Sequence, residues 1–286
     1  MKRTITIALL FAILPLFAQE EVVDPKLNKW VPSLVSGLNI SQIAFENWSQ
    51  GGENSLAYTL TADFKLGYKT ERWNFRNQFK AAFGKTKLGD DEIRTTDNEF
   101  FLESVLSYHI LGWAVNPYFS NLVRSSITTG YDYKIDPKLK IADFFDPGYI
   151  TQSLGFTYDT NENFQTRLGV AFQETITSTE ELAAKYSDDP ETLNEIEKFK
   201  FETGIESVTD ANFNLDENLL LTTKLRLFTR FEDLAIWDVR WDNTITAKVN
   251  NWLNVNLGVI VIHEVSQTKK TQLKEALQIG ITYTIF

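Results

Sequence analysis

The sequence predicts an all-β chain that closes into a transmembrane antiparallel up-and-down β-barrel of about twelve strands. Segments of alternating apolar and polar residues recur along the chain, and the connections between them are alternately short and long. No apolar run after residue 18 is long enough for a membrane-spanning helix. A sheet that spans lipid has no water to satisfy the backbone of its edge strands, so these segments are expected to form a closed barrel.

The segment at residues 56–69 has the clearest strand pattern, because Leu, Tyr, Ala and Phe alternate there with Ala, Thr, Asp, Gly and Lys. Predicted strands of about 11 to 14 residues exceed the five or six that are usual in soluble sheets, which makes a secreted β-sandwich the weaker alternative. In chain order the predicted strands are 33–45, 56–69, 73–83, 100–110, 118–129, 149–158, 164–176, 199–213, 219–230, 239–249, 252–262 and 275–286.

The connections between the predicted strands are of two kinds. Short turns are predicted at 70–72, 111–116, 159–163, 214–218 and 250–251, and longer loops at 46–54, 86–98, 130–148, 178–198 and 266–273. Bacterial barrels have short periplasmic turns and long outer loops, so both termini are expected on the periplasmic side. The Glu- and Leu-rich loop 178–198 has helical spacing, which predicts one or two short helices. The Asn250-Asn251 pair favours a two-residue primed turn.

Aromatic residues flank the predicted short turns, as in the interfacial girdle of a lipid-facing barrel. They are Tyr68, Trp73, Tyr108, Trp113, Tyr158, Phe164 and Trp252. The last segment alternates up to Tyr283, and the chain stops at Phe286, one residue out of phase with it. This ending resembles the C-terminal strand that the outer-membrane assembly machinery recognises in its barrels. The resemblance implies that machinery as a partner.

Residues 1–18 have the order of a secretory signal peptide, because two basic residues precede an apolar run and Ala18 precedes acidic residues. The expected organisation is a signal peptide over 1–18, a periplasmic N-terminal tail over 19–32 and a barrel over 33–286. The absence of Cys excludes disulfides and a cysteine-linked lipid anchor. Export and a barrel together predict the bacterial outer membrane as the location and its lipid as a partner.

Charge and composition exclude several function classes. The formal net charge is −10, and it is −12 without residues 1–18 and their two bases, so nucleic-acid binding is not expected. With no Cys and only His109 and His263, few catalytic groups are available. The one enzymatic alternative is a lipid-facing Ser-His hydrolase built on His263, but the following Glu264-Val265-Ser266 lacks the motif of the outer-membrane phospholipases. We expect no catalytic residue, metal or cofactor.

The polar faces of the predicted strands carry charges of both signs, and these charges form the candidate site. A lumen lined in this way is either plugged by ion pairs or forms a narrow polar path, in which the excess of bases would favour anions. The candidates are the bases Lys65, Arg76, Lys80, Arg124, Arg167, Lys224, Arg226, Arg230, Arg240 and Lys248 and the acids Asp63, Glu103, Glu202, Glu206, Asp210 and Asp242.

Three groups of residues carry a family resemblance. They are Asn39-Ile40-Ser41-Gln42 with Asn47-Trp48-Ser49, Gly51-Gly52 and Asn54-Ser55; Thr129-Gly130-Tyr131-Asp132-Tyr133; and Phe144-Phe145-Asp146-Pro147-Gly148-Tyr149. Together they resemble an uncharacterised family of Gram-negative outer-membrane barrels, the domain of unknown function 3078, which implies the same fold and location but no substrate. In the first group, Asn47, Trp48, Gly51, Gly52 and Asn54 are expected to form a tight outer turn or, alternatively, to contact a ligand at the pore mouth.

These patterns predict an integral outer-membrane barrel that serves as a channel or transporter for small polar or anionic solutes. Two alternatives stay open. One is a plugged structural or accessory subunit of an outer-membrane complex, and the other is a lipid-modifying outer-membrane enzyme.

Overall fold

The computed structural model describes residues 26–47, 49, 52–161, 163–189, 192, 195–265, 268 and 270–284. Its strands are β1 (Trp30–Ile43), β2 (Ser55–Lys69), β3 (Trp73–Leu88), β4 (Arg94–Tyr108), β5 (Asn116–Ser125), β6 (Gly130–Asp132), β7 (Leu139–Ala142), β8 (Gly148–Asn161), β9 (Phe164–Ile176), β10 (Phe199–Asp216), β11 (Leu219–Arg230), β12 (Trp237–Lys248), β13 (Leu253–His263) and β14 (Gln272–Thr284). One helix, α1 (Glu180–Tyr186), occurs in the described part of the chain, and no helix there is long and apolar enough to cross a membrane.

Twelve of the strands form one closed antiparallel barrel, as predicted. Strands that are neighbours along the chain pair with each other, β5 pairs with β8, and β1 pairs with β14 to close the ring. The remaining strands, β6 and β7, form a separate hairpin in the connection between β5 and β8. All twelve predicted membrane strands are confirmed, although several of their ends differ.

The predicted long loop at 86–98 is wrong. The strand β3 continues to Leu88 and β4 begins at Arg94, so only 89–93 connect them. Both strands are polar on both faces at these ends, and the expected alternation is therefore missing where the strands extend past the apolar band. The alternation of short and long connections is therefore imperfect. The connection 89–93 at the long-loop end is shorter than the turn 109–115, which joins β4 and β5 at the short-turn end.

Two further boundaries differ from the prediction. The strand β1 begins at Trp30, inside the predicted tail, and among the described residues its pairing with β14 begins at Val35, beyond Pro32. The turn between β12 and β13 is not a primed turn, because neither asparagine has a positive φ. The Asn250 side chain instead accepts hydrogen bonds from the backbone N–H of Trp252 and Leu253. The predicted signal peptide at 1–18 and Phe286 lie outside the described residues.

The barrel is apolar outside and polar inside. The outward side chains of Leu60, Leu168 and Ile279 are 49%, 57% and 58% exposed, whereas charged and hydroxyl side chains are buried on the inner face. A soluble protein has the opposite arrangement, and lipid requires this one. The aromatic residues cluster at the short-turn end as predicted, with the rings of Trp73 and Tyr108 centred 4.8 Å apart.

Two of the long connections pack against each other at the long-loop end, and we call this unit the loop cap (126–147 with 177–189, 192 and 195–198). Leu182 and Ala183 of α1 are fully buried, and the Tyr186 hydroxyl donates to the carbonyl of Ile141, 2.9 Å away. Within the cap, hydrogen bonds from the Lys140 ammonium, the Phe144 N–H and the Thr129 hydroxyl lower the pKa of Asp143.

The seam between β1 and β14 is held inside the barrel by a cluster of amide side chains. Asn256 Nδ2 on β13 donates to Asn39 Oδ1 on β1 at 3.5 Å and to Asn254 Oδ1 at 2.7 Å, and Asn254 Nδ2 donates to Thr282 Oγ1 on β14 at 2.8 Å. Gly280 makes room for this cluster, because a Cβ there would overlap the side chains of Asn39 and Asn254. The seam is therefore closed by specific side-chain contacts as well as by backbone pairing.

Candidate functional site in the barrel lumen

The lumen is divided into a filled half and an open half. On β5, β8, β9 and β10 the inward side chains are almost all buried, and they fill the space between β4 and β11. On β2, β3, β12 and β14 many inward side chains are accessible, among them Lys65, Lys80 and Thr244. Because inward groups of a closed barrel face the lumen rather than the lipid, their accessibility indicates space for water along this second wall.

The strand β4 carries three inward carboxylates, Asp97, Glu99 and Glu103, which we call the acidic ridge. Glu99 holds Arg240 of β12 in a two-pronged contact, with N···O distances of 2.8 and 2.9 Å. The strands β4 and β12 lie six places apart in the twelve-stranded ring, so this ion pair spans the full width of the lumen. Asp97 forms a second bridge, to Lys274 of β14.

Glu103 forms the central bridge of the acidic ridge. It binds Arg167 of β9, and its Oε2 lies 2.7 Å from the ammonium of Lys224 on β11. Asp210 also lies 3.2 Å from Lys224 Nζ. The line from β4 to β11 separates the filled half of the lumen from the open half. Glu103 and Arg167 are buried, and each charge compensates the desolvation of the other.

The filled half contains further ion pairs toward the long-loop end. Arg226 Nε donates to Glu206 at 2.7 Å, and its Nη2 donates to the side chain of Gln173 at 3.0 Å. Arg230 binds Glu202 and also lies 2.8 Å from Asp238. These contacts make this half of the barrel a packed polar core rather than a water path.

A cavity of about 270 Å³ lies in the short-turn half of the lumen, and we call it the vestibule. The residues that line it include Gly67, Gln165 and Thr222, all close to short turns. Its charged lining consists of five bases and two acids: Lys65, Arg76, Lys80, Arg167, Lys224, Glu103 and Asp210. The vestibule therefore has an excess of positive charge, which raises the local concentration of anions.

The short-turn rim contains a buried polar cluster around Asp159. Its Oδ2 accepts hydrogen bonds from Ser107 Oγ at 2.6 Å and Asn74 Nδ2 at 3.1 Å. His109 Nε2 lies 3.8 Å from Asp159 Oδ1, and the Asn116 amide contacts the other nitrogen of the ring at 3.3 Å. The cluster ties β3, β4, β5 and β8 together below the vestibule.

The structure places the sequence-predicted charges on the inner face, but in different surroundings. Lys65, Arg76, Lys80 and Lys224 line the vestibule, whereas Arg167, Glu202, Glu206, Arg226 and Arg230 belong wholly or mainly to the filled half, and Arg240 and Asp242 form a pair near the long-loop end. Arg124 stacks on the ring of Tyr149, 4.9 Å from its centre, and Lys248 is exposed at the short-turn end.

Sequence reasoning missed four lumen acids that complete these contacts: Asp97, Glu99, Asp159 and Asp238. Asp97 and Glu99 fell in or beside a predicted loop, and Asp238 lies one residue before a predicted strand. Asp159 fell in a predicted turn. Their inward position follows from the two-residue period once the strands are extended to their observed ends.

The described outer-loop residues are joined by a hydrogen bond between the two ends of the loop. Asn54 Oδ1 accepts the backbone N–H of Phe45 at 2.6 Å, and Gly52 and Asn47 have positive φ values of 117° and 53°. Trp48 and Gly51 lie outside the described residues. His263 is on the outer face of β13, where its Nδ1 lies 3.2 Å from Thr271 Oγ1, and Ser266 lies outside the described residues.

Residues 40–131 match the model of a family described as "Protein of unknown function (DUF3078)". This match confirms, over that segment, the resemblance predicted from the sequence. No curated protein matches the sequence significantly.

Among solved structures, the chain is similar to an outer membrane channel from Pseudomonas putida F1, with 13% identity over 93% of this chain and 99% of that chain and a TM-score of 0.39. It is also similar to the translocator domain of the autotransporter NalP from Neisseria meningitidis, with 11% identity over 89% and 87% of the two chains and a TM-score of 0.35. For Salmonella typhi OmpF the identity is 10% over 92% of this chain and 99% of that chain, with a TM-score of 0.28. These similarities concern the fold.

Proposed function

We propose that this chain is an integral outer-membrane barrel that passes small anionic solutes, with the ion pairs of the acidic ridge acting as a gate. The observation that carries the proposal is the vestibule, which lies near the short turns, has an excess of bases and is lined by Glu103 and Lys224 of the central bridge. The proposal assigns no catalysis to the barrel, and it takes outer-membrane lipid and the assembly machinery as partners.

Accessible charges in the open half support a path beyond the vestibule. The Lys65 side chain near the short-turn end is 59% exposed, Glu99 is 37% exposed, and Lys274 near the long-loop end is 46% exposed. Groups accessible at successive levels of the lumen are expected along a hydrated route. The bridges from Glu99 and Asp97 cross this route, and their opening would connect the vestibule with the long-loop end.

A plugged structural or accessory subunit is the second candidate, and one observation favours it. The packed ion pairs Glu206–Arg226 and Glu202–Arg230 give the barrel a polar core that no solute could cross. Under this alternative the open half would hold static water, and removing a bridge would not produce conduction.

Single-channel recording of the refolded protein in a planar bilayer tests the proposal. We expect anion-selective openings, measured from the reversal potential in a salt gradient. In Glu99→Gln, the closed-to-open equilibrium is expected to shift toward the open state by about tenfold or more, because a charge-assisted hydrogen bond contributes about 1.5–3 kcal/mol.

Glu275→Gln is the matched control, since Glu275 is exposed on the outer face of β14 and its removal changes the net charge equally without touching a bridge. It should leave the open-state population unchanged. A folded barrel that stays silent as wild type and as Glu99→Gln contradicts the channel and supports the plugged subunit.

A further inference from the structure

We propose that the vestibule contains a binding site for a small oxyanion carrying two or more negative charges, of the phosphate class, formed by Arg76, Lys80 and Lys65. The inference deepens the proposed passage of anions and rests on it for the physiological role of the site. Binding itself can be measured without conduction.

Four charges of the vestibule already satisfy each other. Glu103 binds both Arg167 and Lys224, and Asp210 lies 3.2 Å from Lys224 Nζ. Two acids thus face two bases, and neither base is available for a ligand without breaking an ion pair. The remaining bases are Lys65, Arg76 and Lys80.

Arg76 is the strongest indication of a ligand. Its two neighbours across the sheet are Gly67 on β2 and Val105 on β4, and neither can accept a hydrogen bond through its side chain. Among the described residues no ion pair or hydrogen bond engages its guanidinium, and its Nε is buried without a partner. Asp159, Asp210 and Glu103 attract this guanidinium without contacting it, so part of its desolvation cost stays uncompensated, and a bound anion would reduce that cost.

The two lysines add positive charge beside Arg76. Lys80 is accessible within the lumen and has no ion pair among the described residues. Asp63 lies opposite Lys80 across the sheet: it accepts a hydrogen bond from Gln78 at 2.8 Å, and its carboxylate is 4.0 Å from Lys65 Nζ. The five bases of the vestibule, set against Glu103, Asp210 and Asp63, leave a surplus of two positive charges, which a dianion neutralises.

The shape of the vestibule agrees with a small oxyanion. A cavity of about 270 Å³ holds a phosphate-sized ion together with part of its hydration shell, since each water occupies about 30 Å³. A guanidinium fork binds two oxygens of such an ion, and the lysines act as point charges. The barrel wall separates the cavity from lipid, so the ligand is a dissolved anion rather than a lipid headgroup.

Isothermal titration calorimetry of the refolded full chain with inorganic phosphate, in phosphate-free detergent buffer near neutral pH, tests the site. We expect saturable binding by the wild type that is weakened by about tenfold or more in Arg76→Gln. Arg76→Lys should retain part of the affinity, because it keeps the charge and loses the fork. Lys80→Gln supplies an independent loss if Arg76→Gln does not fold, as judged by heat-modifiable migration.

Lys248→Gln is the matched control, because it removes one exposed lumen lysine that does not line the vestibule, and its affinity should equal that of the wild type. Equal phosphate affinity in the wild type, Arg76→Gln and Lys80→Gln overturns the site, as does absence of saturable binding. Conduction without phosphate binding overturns this inference alone, and phosphate binding by a silent barrel overturns only the proposed channel.

Discussion

Two glycines allow a tyrosine to enter the filled half of the lumen. Gly155 on β8 pairs with Gly169 on β9, and the ring of Tyr118 from β5 lies beside them. The Tyr118 hydroxyl is 2.5 Å from Ser153 Oγ, and a methyl group at Gly169 would lie 2.8 Å from that hydroxyl and overlap the Leu154 carbonyl. At these positions the absence of a side chain sets how closely the strands approach and how the core packs.

Gly169→Ala is therefore expected to destabilise the barrel by about 1–3 kcal/mol through overpacking. Gly258→Ala provides the comparison, since Gly258 also faces the lumen but a Cβ there would have the Ala276 carbonyl oxygen as its nearest neighbour, at 3.9 Å. Urea unfolding in detergent, followed by tryptophan fluorescence, measures both changes. Equal stability of the two variants would mean that β8 and β9 can separate without cost.

At the scale of a single element, the strand β4 provides the carboxylates for the ion pairs that cross the lumen. Each carboxylate of its acidic ridge takes a base from a different part of the ring, so one strand contacts β9, β11, β12 and β14 through the lumen. Alternating inward acids on a single strand let the ion pairs occur at successive levels. The filled half of the barrel is consequently anchored at its centre by Glu103.

Glu103→Gln is expected to lower the free energy of unfolding by about 3 kcal/mol, because it leaves buried Arg167 without its counter-charge and weakens the hold on Lys224. Asp63→Asn should cost less than about 1 kcal/mol, since Asp63 is partly exposed and its nearest base is 4.0 Å away. The same urea titration measures both variants. A smaller loss for Glu103→Gln than for Asp63→Asn would show that solvent already screens the central bridge.

Sequence reasoning predicted the elements because lipid imposes alternation wherever a strand crosses the apolar band. Sequence reasoning failed beyond the apolar band, where strands need not alternate. The outer parts of β3 and β4 are polar on both faces, so Glu99 was placed at the edge of a predicted loop. The inward direction of Arg240 followed from alternation, but its partner did not, since a contact between opposite walls depends on strand tilt and barrel width. The vestibule likewise depends on which bases lack partners, and a single sequence does not contain that information.

At the scale of the whole molecule, the barrel has an apolar exterior and two unlike ends. The vestibule lies in the half of the lumen nearer the short turns, and the loop cap lies at the opposite end. The net charge of −10 for the chain coexists with a local excess of bases inside, so the overall charge does not describe the environment of a solute.

The difference between the two ends predicts the orientation of the barrel in a Gram-negative outer membrane. An epitope tag inserted within 231–236 should be labelled by antibody on intact cells, whereas the same tag within 249–252 should be labelled only after permeabilisation. Both insertions flank β12, which makes them a matched pair. Surface labelling of the 249–252 tag alone would place the short-turn end, which is nearer the vestibule, outside the cell.

The amide cluster at the seam has a consequence for the order in which the barrel forms. Asn39 and Gly280 are partners across the seam although nearly the whole chain separates them, whereas every other strand pair joins segments that are close along the sequence. Pairs of high sequence separation carry the largest loop-closure entropy and form late. Until that step β1 and β14 are two open edges, each able to pair with a foreign strand. The contacts among Asn39, Asn254 and Asn256 form only in the native register. They therefore stabilise correct closure of β1 against β14 over a closure that is shifted along the strands.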